Sequence, residues 1–260
     1  MLLGYLAAIF IGLSLGLIGS GGSILTVPIL IYFFNIDPVL ATTYSLFVVG
    51  ITSSAGAMSH YLKGNVDHKI ALLFGIPSLA AIFIMRKWVM PAIPQHLLSI
   101  NSFELTKPVL LMLVFAILML SASVSMIRGK ERTVSDDHLN VQRLIIQSII
   151  VGVITGFVGV GGGFLIIPSL VLFAGLPMKK AVGTSLMIMT ISALLGVLGD
   201  ISRHVIIDYS FLAKFSAFAV AGIIAGSYLT KYFNDNKLKP AFGLFILLMA
   251  IVILVRTFGM

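Results

Sequence analysis

An apolar run broken by clustered glycines, twice and at one spacing, leaves few folds open to this chain. Residues 16–28 read Gly-Leu-Ile-Gly-Ser-Gly-Gly-Ser-Ile-Leu-Thr-Val-Pro, and residues 156–168 read Gly-Phe-Val-Gly-Val-Gly-Gly-Gly-Phe-Leu-Ile-Ile-Pro. Gly16, Gly19, Gly21, Gly22, Leu25 and Pro28 return as Gly156, Gly159, Gly161, Gly162, Leu165 and Pro168 at a constant offset of 140. Glycine this dense destabilises a continuous helix and suits a deliberate interruption. The short apolar segments that follow, residues 23–34 and 163–174, then start as helices at the break. Their unpaired N–H groups and positive dipole ends face whatever occupies it.

The surroundings of those breaks are lipid-like. Hydrophobic residues make up 59% of the chain and charged residues 10%, with a mean hydropathy of +1.12, which excludes an ordinary soluble domain and indicates many membrane spans. The first basic residue is Lys63, so the leading apolar segment lacks the basic start of a secretory signal and is read as mature structure. With no cysteine, disulfides and thiolate chemistry are excluded. The net charge of +8 sits in short loops between apolar runs, where it sets orientation and meets anionic membrane lipid rather than nucleic acid.

Apolar segments fall at 2–18, 23–34, 39–59, 70–85 and 108–127, and again at 144–158, 163–174, 181–199, 209–229 and 238–255. Residues 86–88, Arg-Lys-Trp, look like an interfacial anchor, followed by a polar connection to Lys107. The expected fold is an all-α polytopic membrane protein. Residues 1–127 form a first repeat, 128–143 a hydrophilic loop between repeats, and 144–260 a second repeat. The match extends beyond the glycines: Gly12 with Gly152, Ala41 with Ala181, Ser45 with Ser185 and Gly56 with Gly196. Five segments per half invert the second repeat, so the broken, re-entrant helices meet near the bilayer midplane. Counting basic residues by side puts the inter-repeat loop in the cytoplasm and both termini outside a prokaryotic-type inner membrane.

Candidate chemistry gathers at the breaks. Gly19, Ser20, Gly21, Gly22 and Ser23, with Gly159, Gly161, Gly162 and Gly163, are read as backbone donors for a substrate, while Gly12, Gly16, Gly152 and Gly156 fit close helix packing. Tyr44, Ser45, Thr184 and Ser185, at the start of the next helix in each half, are candidate hydroxyl ligands; bonding to their own backbone is the alternative. His60 ends the third segment and is either a proton relay or an interfacial residue. All nine acidic residues are placed in loops or at segment ends, and no buried Lys or Arg is expected. Without a midplane carboxylate a cation pump is disfavoured, and an anion held by amides, dipoles and hydroxyls is favoured. No spacing suggests a metal site or a cofactor. No intramembrane Ser–His or Asp pair supports an enzyme.

The doubled glycine motif, the Ala41–Leu46 and Ala181–Leu186 runs, and His60 with Gly64-Asn65-Val66-Asp67 resemble the TauE/SafE family of sulfite and organosulfonate exporters, over nearly the whole chain. The resemblance implies a transporter of small sulfur-containing anions or related carboxylates. Its second copy of the His-to-Asp loop departs from the first, reading Asp200-Ile-Ser-Arg-His-Val-Ile-Ile-Asp208. The sequence reading is thus an alternating-access carrier for a small anion, with sulfite, thiosulfate and organosulfonates as candidates and proton coupling carried on the weak-acid substrate itself. An anion channel is the alternative.

Overall fold

The computed structural model describes residues 2–19, 22–100, 103–128, 141–158, 162–201, 207–229 and 235–258. The order of elements there follows the apolar segments: α1 (Leu2–Ile18), α2 (Ser23–Phe34), α3 (Pro38–Leu62), α4 (His68–Ala92) and α5 (Lys107–Arg128), then α6 (Val141–Val158), α7 (Gly163–Phe173), α8 (Met178–Ile201), α9 (Tyr209–Leu229) and α10 (Asp235–Phe258). Five of them, α3, α4, α6, α8 and α9, are long and apolar enough to cross a membrane, and the rest contain shorter apolar runs.

Local chemistry sets several boundaries. Asp37 caps α3, its carboxylate accepting the Val39 and Leu40 amides at 2.8 and 3.3 Å, with Pro38 at the first helical position. Asp67 and Asp208 cap α4 and α9 in the same way, through the Ile70 and Phe211 amides at 3.0 and 2.9 Å. In α4, Pro91 lacks the N–H that would bond the turn before it, and the helix widens into a π turn over Met85–Val89. The polar connection beyond it holds a feature the sequence reading did not include, an antiparallel ribbon of β1 (His96–Ile100) and β2 (Phe103–Thr106). The fold class remains helical, with this ribbon as a loop ornament.

The glycine interruptions fold α1 and α2 into a hairpin. Tyr5, near the start of α1, lies edge-on to Phe34 at the end of α2, with ring centroids 5.7 Å apart. Gly12 and Gly16 pack α1 against the Ala219 and Ile223 backbone of α9, and Gly152 and Gly156 pack α6 against Ser78 and Ile82 of α4, as expected of small residues at a tight crossing. Renaming each helix by its counterpart in the other half interchanges these two contacts. The same exchange relates α3·α9 to α4·α8 and α2·α3 to α7·α8, and leaves α3·α8, α2·α7 and α5·α10 unchanged. At the centre α3 and α8 run antiparallel, since Thr43 near the start of α3 bonds Asp200 near the end of α8, while His60 near the end of α3 lies against Gly183 near the start of α8.

One sequence expectation is overturned here. Arg86 is not an interfacial residue: it is 1% exposed, and Asp200 is 3% exposed. The two form an ion pair of 2.8 Å between α4 and α8. Lys107 is buried as well, its ammonium donating to the Met90 carbonyl. These charges stand near helix ends in sequence, and tertiary packing encloses them. The anchoring role falls to the neighbours of Arg86, with Lys87 5.3 Å from the Phe83 ring centroid and 5.5 Å from that of Trp88.

Candidate functional site

In the first half, α1 closes at Gly19, whose φ of +78° is left-handed and whose amide donates to the Leu15 carbonyl at 2.8 Å. The chain turns back and α2 starts after Gly22, where a side chain would run into the Ile11 carbonyl and the Ser14 hydroxyl. In the second half the left-handed residue is Gly162, with φ +75°, and a side chain there would strike the Thr155 hydroxyl of α6. The two restarts follow different backbone paths, since Gly22, the repeat counterpart of Gly162, has φ −70°. Among the described residues no side chain caps either restart. The two restarted helices, α2 and α7, touch each other. Ser20, Gly21, Gly159 and Gly161 lie outside the described residues.

The hydroxyl candidates divide into three groups. Tyr44 and Thr184, equivalent in the repeat, reach across the halves, the Tyr44 hydroxyl accepting the Asp208 amide at 2.8 Å and the Thr184 hydroxyl accepting the Asp67 amide at 2.9 Å. Each ties a helix of one half to a capping loop of the other. Ser185 donates to its own helix, to the Val182 carbonyl at 2.9 Å. Ser45 is fully buried and its hydroxyl has no partner. Ser23 is also buried, at the first residue of α2, and Gly163 is buried at the first residue of α7.

Thr155 is the residue that sequence reasoning missed. It is 2% exposed and its hydroxyl has no partner, yet it stands against Gly162 at the restart of α7. The corresponding contact in the first half is Ser14 against Gly22, and there the hydroxyl is satisfied by the Ile11 carbonyl at 2.8 Å. Position 15, the repeat counterpart of Thr155, is leucine, so no internal match could have drawn attention to it. His60 lies against Gly183, the neighbour of Val182, which in turn packs on Gly19 at the first break. It lies 15 residues along α3 from Ser45, roughly 22 Å at helical rise, with its Nδ1 buried and without a partner.

Apolar helices of spanning length around paired, uncapped glycine breaks define a polytopic helical membrane protein. The chain belongs to the family described as Sulfite exporter TauE/SafE, whose sequence profile matches residues 4–256. It is 29% identical over 257 residues to a "Probable membrane transporter protein" of Xylella fastidiosa, covering 96% of this chain and 93% of that one. It is 29% identical over 238 residues to the "Probable membrane transporter protein YdhB" of Bacillus subtilis, with 91% and 93% covered. With "Probable membrane transporter protein YunE" of the same organism the identity is 31% over 208 residues, 73% and 74% of the two chains. No solved structure gives a significant match. The resemblance read from the doubled glycine motif is thereby borne out, and the protein is a membrane transporter by family.

Proposed function

We propose that this protein is a secondary carrier that moves small oxyanions by alternating access, with sulfur-containing anions such as sulfite, thiosulfate and organosulfonates as substrates. The observation that carries this reading is the second break, where a helix start without a side-chain cap and a buried hydroxyl without a partner lie against each other. A buried hydroxyl left unpaired costs about 1–3 kcal/mol. Thr155 is rewarded only if a ligand enters. The start of α7 brings N–H groups and the positive end of a helix dipole, which together favour an anion without a desolvated permanent charge. Ser45, equally buried and unpaired, adds a second donor that its repeat partner Ser185 has spent on its own helix.

The exchange symmetry of the helix contacts and the antiparallel α3 and α8 support reading residues 1–127 and 144–260 as inverted repeats about this site. In that arrangement residues 128–143 lie in the cytoplasm and both termini outside, in a prokaryotic-type inner membrane. The substrate's own proton supplies coupling, since sulfite titrates near neutral pH.

Titration calorimetry of the detergent-purified protein with sulfite tests the site. Thr155→Val keeps the shape and removes the donor, so sulfite affinity is expected to fall about tenfold, equivalent to about 1.4 kcal/mol. Ser45→Ala should also weaken binding, and Ser185→Ala should not. Unchanged affinity in both Thr155→Val and Ser45→Ala would contradict the site.

A further inference from the structure

A single carboxylate oxygen joins the two halves. Asp200 Oδ2 on α8 accepts the Arg86 guanidinium of α4 at 2.8 Å and the Thr43 hydroxyl of α3 at 2.6 Å. The same Arg86 nitrogen donates to the Thr42 hydroxyl at 3.1 Å. On one side of this cluster lies a cavity of about 280 Å³, lined by Thr43, Arg86 and Asp200 together with Asp37, Gln95 and Lys107. Toward the middle of α3, Leu46, Ala193 and Val197 form a small buried apolar cluster, with Leu46 packed on Gly196, one helical turn from Asp200.

The other end of the α3–α8 pair is built differently. The repeat counterparts of Asp200 and Thr43 are His60 and Gly183; past the His-to-Asp loop, where the second copy is one residue longer and Asp67 pairs with Asp208, the counterpart of Arg86 is Ser227. His60 lies against Gly183 as Asp200 lies against Thr43; Asp67 stands at this end too, but its carboxylate caps α4 through the Ile70 amide, and among the described residues no ion pair forms there. In place of an ion pair, that end holds a cavity of about 270 Å³ lined by residues that include Ser59, Lys63 and Ser227.

We propose that Arg86, Asp200, Thr42 and Thr43 form a one-ended latch between the halves, and that access to the anion site from the Arg86 side requires the Arg86–Asp200 pair to part. The proposal rests on the carrier reading above. A buried ion pair suits such a duty because separating it without new partners leaves two desolvated charges, which makes the joint either closed or fully opened to water. Among the described residues the His60 end has no matching pair, so the latch holds one side of the carrier.

Because the chain has no cysteine, Leu46→Cys provides a single thiol beside the latch. The rate at which a small membrane-impermeant thiol reagent labels it in reconstituted vesicles reports opening. Adding Asp200→Asn, an uncharged amide of the same shape, is expected to raise that rate about tenfold or more. Thr43→Val, which removes one bond to the same carboxylate, should raise it less. Ser53→Ala cuts the Ser53–Thr190 contact of 3.1 Å in the middle of the same helix pair and should leave the rate unchanged. An unaltered rate with Asp200→Asn, or an equal rise with Ser53→Ala, overturns the latch. Should Asp200→Asn fail to fold, Thr43→Val decides, and no rise overturns it. Labelled-sulfite uptake by the Leu46→Cys parent in the same vesicles separates the two readings. Uptake with no labelling change sinks the latch alone, and a labelling rise without uptake sinks the sulfite carrier alone.

Discussion

At Gly162 the backbone adopts φ +75° and a methyl group would strike the Thr155 hydroxyl, so this position is closed to side chains on two counts. Gly162→Ala should lower folded-state stability by about 1–3 kcal/mol, read as a drop in the thermal unfolding midpoint in detergent. Density of glycine in the sequence pointed to these positions, because few other contexts in an apolar helix tolerate it. The sequence did not reveal that Gly162 would turn left-handed while its repeat counterpart Gly22 would not, at φ −70°. Nor did it reveal Arg86 and Asp200, which are 114 residues apart. Each sits at the end of an apolar segment and reads as a surface charge until the fold places one against the other. Tyr44 and Thr184 were found as hydroxyls near the breaks, but their bonds to the Asp208 and Asp67 amides depend on contacts between halves that no local pattern encodes.

Among the elements, α1 against α9 and α6 against α4 cross closely, with glycines of one helix set against the backbone of the other. Gly222 faces the Ile9 carbonyl and Gly12 faces that of Ala219. Gly222→Leu should therefore separate α1 from α9 and cost about 1–3 kcal/mol or more of stability, measured by thermal unfolding in detergent. Gly75, whose added methyl group would touch nothing closer than Ile188 at 3.8 Å, should accept alanine with little loss. The apolar segments and their boundaries were legible within a few residues because hydropathy, Asp caps and proline act locally. The π turn over Met85–Val89 and the ribbon of β1 and β2 were not, because a short irregularity between two spans leaves no periodic signal.

For the whole molecule, the principal helix contacts survive exchange of the two halves. Departures from that symmetry mark the places where function is expected to concentrate: Thr155 against Leu15, Ser45 unpaired against Ser185 satisfied, and the Asp200 pair against His60. A carrier whose two ends must open in turn has reason to hold one of them by different chemistry. The central claim, a small-anion carrier working around its broken helices, is tested most directly by sulfite counterflow. Vesicles holding the purified protein and excess unlabelled sulfite are diluted into labelled sulfite. The account predicts transient, saturable accumulation of label that is lost in Gly162→Leu protein still folded in detergent. Label that never exceeds protein-free vesicles, or accumulation undiminished by Gly162→Leu, would contradict it.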